Sequence, residues 1–164
     1  SRVLHNLRSN KGIEALGRFA AGSPQKGALI AISERTLDEA GNNRAWLLRQ
    51  DRTAPLSVRR RDDYDITDAA VLPGGDLLIL ERKFRLLSGP AFRIRRIAAT
   101  GIRAGAVLDG DVLIEADYST TIDNMEGLAL HRAANGELRL TLISDDNYSI
   151  LQHTLLLQFA LPGE

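Results

Sequence analysis

The chain has 164 residues, 44% of them hydrophobic, with 21 basic and 21 acidic side chains. That is ample for one good core, while zero formal net charge argues against nonspecific nucleic-acid binding, which needs a basic surface. No apolar run approaches the ~20 residues of a membrane span, and without cysteine there is no disulfide, thiolate nucleophile or cysteine zinc site.

The first residues, Ser1-Arg2-Val3-Leu4-His5, have no following apolar stretch of a signal peptide. Because the chain starts without Met, it is expected to be a cut or processed piece. The pattern from there on is one of short runs rich in Leu, Ile and Val, bounded by Gly, Pro, Asn and Asp, which predicts strands.

Ile13-Glu14-Ala15-Leu16 leads through a Gly/Ser/Pro loop to Leu29–Arg35, followed by Ala45–Leu48 and Pro55–Val58. Ile66-Thr67-Asp68-Ala69 leads through the hairpin turn Pro73-Gly74-Gly75-Asp76 to Leu77–Arg82, where Gly supplies the positive φ of a tight turn. Phe92–Ile97 comes next, and Asp109-Gly110-Asp111 separates two further runs, the second being Asp111–Ile114. Met125-Glu126-Gly127-Leu128 leads through Asn135-Gly136 to the alternating Leu138, Leu140 and Leu142, and Thr154–Phe159 closes the series.

The first strands start at Ile13, Ile66 and Met125, a period of roughly 50–60 residues carrying about four strands, as in a β-propeller blade. The expected fold is all-β, with antiparallel four-stranded blades in approximate units 9–63, 64–119 and 120–164. Propellers close with about 4–8 blades, so three blades predict half of a six-bladed ring, completed by the rest of a longer chain or by a second copy. An antiparallel β-sandwich with accidental repetition is the alternative.

Acids recur in each unit. Glu14, Asp68 and Glu126 lie on the first strands, while Glu34, Glu81 and Asp145-Asp146 end the second. Carboxylates converging on one channel repel unless they are solvated, protonated, paired or bound to a cation. Calcium takes 6–8 oxygen ligands and needs neither His nor Cys, and Asp145, Asp146 and Asn147 supply three such side chains at one strand end. Regular alternation sends Asp145 and Asp146 to opposite faces, so a shared ion requires a turn or bulge there. The structural alternative is that these acids accept backbone N–H bonds in turns.

Lys11, Arg35 and Arg82 lie beside acids in sequence and are candidates to anchor phosphate oxygens. For Arg35 and Arg82 the favoured expectation is instead an ion pair at the surface or between neighbouring blades. No Gly-x-Ser-x-Gly elbow or phosphate-binding Gly-rich loop appears, and His5, His131 and His153 share no metal-ligand spacing. Arg59-Arg60-Arg61 is offset by Asp62-Asp63, while Arg93, Arg95 and Arg96 read as the wet face of a strand. Trp46 reads as blade packing.

Three stretches together resemble the bacterial family described as having esterase-like activity of phytase: Ser9–Leu16, Asp123–Ala129, and Ile143–Asn147 with Leu155–Phe159. Ile66-Thr67-Asp68 and Leu80–Phe84 are similar to it as well. The likeness covers nearly the whole chain and corresponds to the C-terminal portion of a full member. It implies a periplasmic or secreted propeller acting on a small-molecule ester or phosphoester. It also carries over Glu14, Asp68, Glu81, Glu126, Asp145, Asp146 and Asn147 as candidate polar-site residues. Glu14, Glu126, Asp145 and Asp146 stand as candidate catalytic acids, and all seven as candidate ligands for calcium or another divalent metal. A noncatalytic binding propeller, its acids structural or holding a structural ion, is the competing reading.

Overall fold

The computed structural model describes residues 12–86 and 89–163. The chain is all-β and antiparallel in the main, without an α-helix among these residues, consistent with a propeller-type fold. The first sheet holds β1 (Ile13–Arg18), β2 (Leu29–Leu37), β3 (Asn43–Leu48) and β4 (Thr53–Val58) in sequence order. The second holds β5 (Asp65–Val71), β6 (Leu77–Arg85), β7 (Gly89–Ile97) and β9 (Asp111–Asp117), and the third β10 (Met125–Arg132), β11 (Leu138–Ser144) and β12 (Leu156–Ala160).

One short strand breaks the unit boundaries. β8 (Val107–Leu108) lies between β7 and β9 in sequence but pairs parallel with β4 at the edge of the first sheet. The run before Asp109-Gly110-Asp111 is therefore no hairpin partner of the run after it. It straps the second unit's connection across the first, with Arg59 N–H donating to Leu108 O at 2.8 Å.

The middle sheet is buried on both faces, and its sequence shows it. Leu77 and Ile79 pack with Ala15, Ile30, Ile32 and Ile66 between the first and second sheets. Leu78 and Leu80 point the other way and pack with Phe92, Ile94, Met125, Leu140 and Leu142 between the second and third. A strand covered on both sides has no polar face, so it reads as the continuous run Leu77-Leu78-Ile79-Leu80. The third sheet is covered on one side, and Leu138, Leu140 and Leu142 accordingly alternate with more exposed residues.

The turns are those the sequence predicts. Gly75 (φ 99°) closes the β5–β6 hairpin, its N–H donating to Leu72 O at 2.8 Å, and Gly136 (φ 83°) closes β10–β11.

The wet face expected of β7 holds for Arg96, 39% exposed, but not for Arg93 and Arg95. Arg93 and Arg95 are 3% and 0% exposed, and the Glu81 carboxylate, 1% exposed, lies between them. Arg93 Nε donates to Glu81 Oε2 at 2.6 Å, while Arg95 donates from Nη2 to Oε1 at 2.6 Å and from Nε to Oε2 at 2.8 Å. Their remaining donors reach the β4–β5 connection and the β8–β9 turn: Arg93 to Asp62 and Arg61 O, Arg95 to Arg59 O and to Asp109 of that turn. The expectation that the Arg59–Arg61 run is merely solvated is thus also corrected, since its backbone carbonyls cap buried guanidiniums. Arg59 and Arg61 further pair with Asp109, and Arg60 with Asp65. Trp46 is buried within the first sheet.

Candidate functional site

The same irregularity occurs near the start of the first strand of each sheet. In β1, β5 and β10 the pairing with the next strand shifts by one residue, between Ile13 and Ala15, Ile66 and Asp68, and Met125 and Gly127. A bulge of this kind inserts one unpaired residue and re-aims its side chain. The bulge residues are Glu14, Thr67 and Glu126. Asp68 is one position further on, matching Ala15 and Gly127, so the acid repeat of the first strands slips by one in the middle unit.

The second strands show the same slip. Ser33, Glu81 and Ser144 are equivalent across from Ile13, Ile66 and Met125. Position for position, Glu34 and Asp145 therefore correspond to Arg82, not to Glu81. At this position the three sheets carry an acid, a base and an acid.

Glu81 is buried, and both its oxygens accept from the guanidiniums of Arg93 and Arg95 inside the second sheet. Asp68 is half-buried; its Oδ1 accepts Ala69 N–H and its Oδ2 accepts Leu128 N–H, both at 2.7 Å, so it fastens the second sheet to the third. Burial raises its pKa above the ordinary carboxylate value, opposed by these two N–H donors. Glu14 is exposed, and Lys11 lies outside the described residues.

The strand end Ser144-Asp145-Asp146-Asn147 is a turn. Asp145 Oδ1 accepts Asn147 N–H at 3.0 Å and Asp146 Oδ1 accepts Tyr148 N–H at 2.9 Å, with Asn147 and Tyr148 both at positive φ. Asp146 Oδ2 also accepts from Thr154 at 3.1 Å, and Asn147 donates to Gln152 Oε1 at 3.2 Å. Asp123, which the sequence reading passed over, holds the far side of this loop by accepting from His153 N–H at 2.7 Å and from Gln152 at 3.2 Å.

Arg35 and Arg82 form the inter-sheet ion pairs favoured for them. Arg35 Nη2 reaches Asp65 Oδ2 at 2.5 Å, joining the first sheet to the second. Arg82 Nε lies 3.0 Å from Glu126 Oε1, joining the second to the third. The Arg82 Nε–H is buried yet not directed at that oxygen, so the contact is one of charge without a formed hydrogen bond.

Glu126 is the most chemically distinctive of these acids. Its side chain is 33% exposed, and Oε1 also accepts from Asn124 Nδ2 at 2.8 Å. Burial holds its pKa above the ordinary glutamate value; Arg82 and Asn124 pull it down, while the negative charges of Asp145 and Glu34 push it up. Beside this pair opens a cleft of ≈ 800 Å³, lined by Arg82, Lys83, Phe84, Tyr118, Asn124 and Leu151 among others. A half-buried carboxyl with a raised pKa, next to a guanidinium and an open cleft, can exchange a proton with a bound molecule.

The donor set does not fit a preformed calcium site. Among the described residues no three His, Asp or Glu side chains come together in a way that could hold a metal ion. Three of the expected ligands, Glu81, Asp145 and Asp146, give oxygens to guanidinium or turn N–H groups, and Asp68 gives both of its own.

Successive antiparallel sheets with an acid–guanidinium pair at the junction of two of them are consistent with the propeller-type β class. The family model described as phytase-like, esterase-like activity of phytase, matches residues 2–148, and the chain belongs to that family. No curated protein and no solved structure matches the chain. No helix among the described residues is long and apolar enough to cross a membrane.

Proposed function

We propose that this chain carries the acid–base machinery of a phytase-like ester or phosphoester hydrolase, with Glu126 as the proton-transfer group and Arg82 as the anchor for substrate oxygens. The observation that carries this reading is the half-buried Glu126 carboxyl held beside Arg82, whose side chain lines the cleft. As carboxylate, Glu126 takes a proton from the attacking water, whose oxygen bonds to the ester carbon or phosphorus. The bond to the leaving oxygen then breaks, and Glu126 returns the proton to that oxygen. Guanidinium donors of Arg82 offset the charge that gathers on the non-bridging oxygen.

The test compares initial rates on p-nitrophenyl acetate and p-nitrophenyl phosphate for the unmodified chain and Glu126→Gln. The expected loss is roughly 10²–10⁴-fold, the usual range for general acid–base catalysis, with the melting temperature retained. A Glu126→Gln chain that turns over at the full rate removes Glu126 from this role.

Family membership favours a periplasmic or secreted setting and a small-molecule substrate, with further blades supplied by the rest of a longer chain or by a second copy. No step here passes through calcium. A noncatalytic binding propeller is favoured by one observation, the commitment of Asp68, Asp145 and Asp146 to backbone N–H groups. On that reading neither ester is turned over.

A further inference from the structure

The cleft beside Arg82 and Glu126 is bordered by large apolar side chains left open to water. Phe84 is 66% exposed, Tyr118 64% and Leu151 85%, and Ile122 lines the same wall. Exposed apolar groups gathered around one concavity mark a place where something apolar is bound. The loop that carries Leu151 is built, being tied through Asn147–Gln152 and through Gln152 and His153 to Asp123.

The charge lining the cleft is small. Its lysine and arginine cations are Arg82 and Lys83, and Asp123 adds a carboxylate of opposite sign. Arg82 is already beside Glu126, and Lys83 Nζ sits 4.1 Å from the centre of the Tyr64 ring. Each phosphate monoester carries about −1.5 to −2 near neutral pH. One such head can be balanced here; a ring bearing several cannot.

We infer that the ligand class of this cleft is an amphiphilic monoester, one anionic or carbonyl head at Arg82 with an alkyl or aryl tail over Phe84, Tyr118, Ile122 and Leu151, and not a polyphosphorylated substrate. The inference rests on the hydrolase reading for the placement of the head. It assigns specificity to the apolar wall, which that reading does not use.

Alkylphosphonates test it, because their C–P bond is not an ester and they keep the anionic head. Calorimetric titration with methylphosphonate, hexylphosphonate and inositol hexakisphosphate gives three affinities. Burial of a methylene contributes roughly threefold or more in affinity, so hexylphosphonate is expected to bind at least about tenfold more tightly than methylphosphonate. Both are expected to bind more tightly than the hexakisphosphate. In a Phe84→Ser/Leu151→Ser chain the hexyl-to-methyl ratio falls below about threefold, with the melting temperature unchanged because both side chains are exposed. Equal affinities, absent hexylphosphonate binding, a preference for the hexakisphosphate, or a ratio that survives the double substitution each overturns the inference. Chain-length dependence without turnover of either nitrophenyl ester leaves the cleft assignment standing and removes the hydrolase. Glu126-dependent turnover without chain-length dependence does the reverse.

Discussion

Arg82 Nε and Glu126 Oε1 stand 3.0 Å apart across the junction of the second and third sheets. The two residues are 44 positions apart in sequence and meet because a bulge at Glu126 turns its side chain toward the neighbouring sheet. The pair sets a local potential in which a carboxyl can gain or lose a proton beside a fixed positive charge.

The first prediction concerns that potential. Burial raises the Glu126 pKa and Arg82 lowers it, so removing the cation in Arg82→Ala moves it further up. The acidic limb of the pH–rate profile for p-nitrophenyl ester hydrolysis is expected above the ordinary glutamate value. It should shift to higher pH in Arg82→Ala and less so in Arg82→Lys. A limb that stays in place in both variants assigns it to another group.

Glu81 is predicted to be structural. Its loss leaves Arg93 and Arg95 buried without their shared counter-charge, and breaking a buried pair in this way costs about 3–5 kcal/mol. Glu81→Gln should lower the urea midpoint sharply, and Glu81→Ala should lower it further. The affinity for hexylphosphonate, measured on whatever fraction stays folded, should not change.

Asp68 supplies a pH signature. Its folded pKa lies above the ordinary aspartate value, so the native state keeps this proton to higher pH than the unfolded chain does. Its contribution to stability is therefore full below the unfolded value and declines as pH rises through the folded one. Asp68→Asn should flatten that decline in a melting-temperature series. It should also lower stability by about 1–3 kcal/mol, because Ala69 and Leu128 N–H lose one of two carboxylate acceptors.

Asp145 and Asp146 are predicted to shape the loop. The amide oxygen of Asn can accept the same N–H bonds, so Asp145→Asn/Asp146→Asn should melt within a few degrees of the unmodified chain. Because no three acids converge among the described residues, millimolar calcium against chelator should leave both melting temperatures in place. A calcium-dependent rise seen in the unmodified chain and lost in the variant would restore a metal to the mouth.

Much of the architecture was legible in the residues. The Pro73–Asp76 and Asn135-Gly136 turns had their chemistry written locally, and the uninterrupted Leu77–Leu80 run marks a strand covered on both faces. The third strands and the inter-sheet pairing of Arg35 and Arg82 followed from the repeat. The register of the acids did not. A bulge adds a residue to one strand without any change in composition, so Asp68 looks equivalent to Glu14 and Glu126 until the pairing with Leu80 is seen.

Sequence by itself therefore determined the class of fold, because turn residues and apolar period act over a few neighbours at a time. By containing no cysteine it also removed thiolate and disulfide chemistry. Tertiary structure alone decided which acid does what. Glu81 became a buried counter-ion because Arg93 and Arg95 arrive beside it on the next strand. Asp68 became an inter-sheet clasp because Leu128 N–H faces it, and Glu126 stayed one-third exposed beside Arg82, which lines the cleft. Burial and the partner met across a sheet junction set the role of a charge, and neither is encoded within the span of a local pattern.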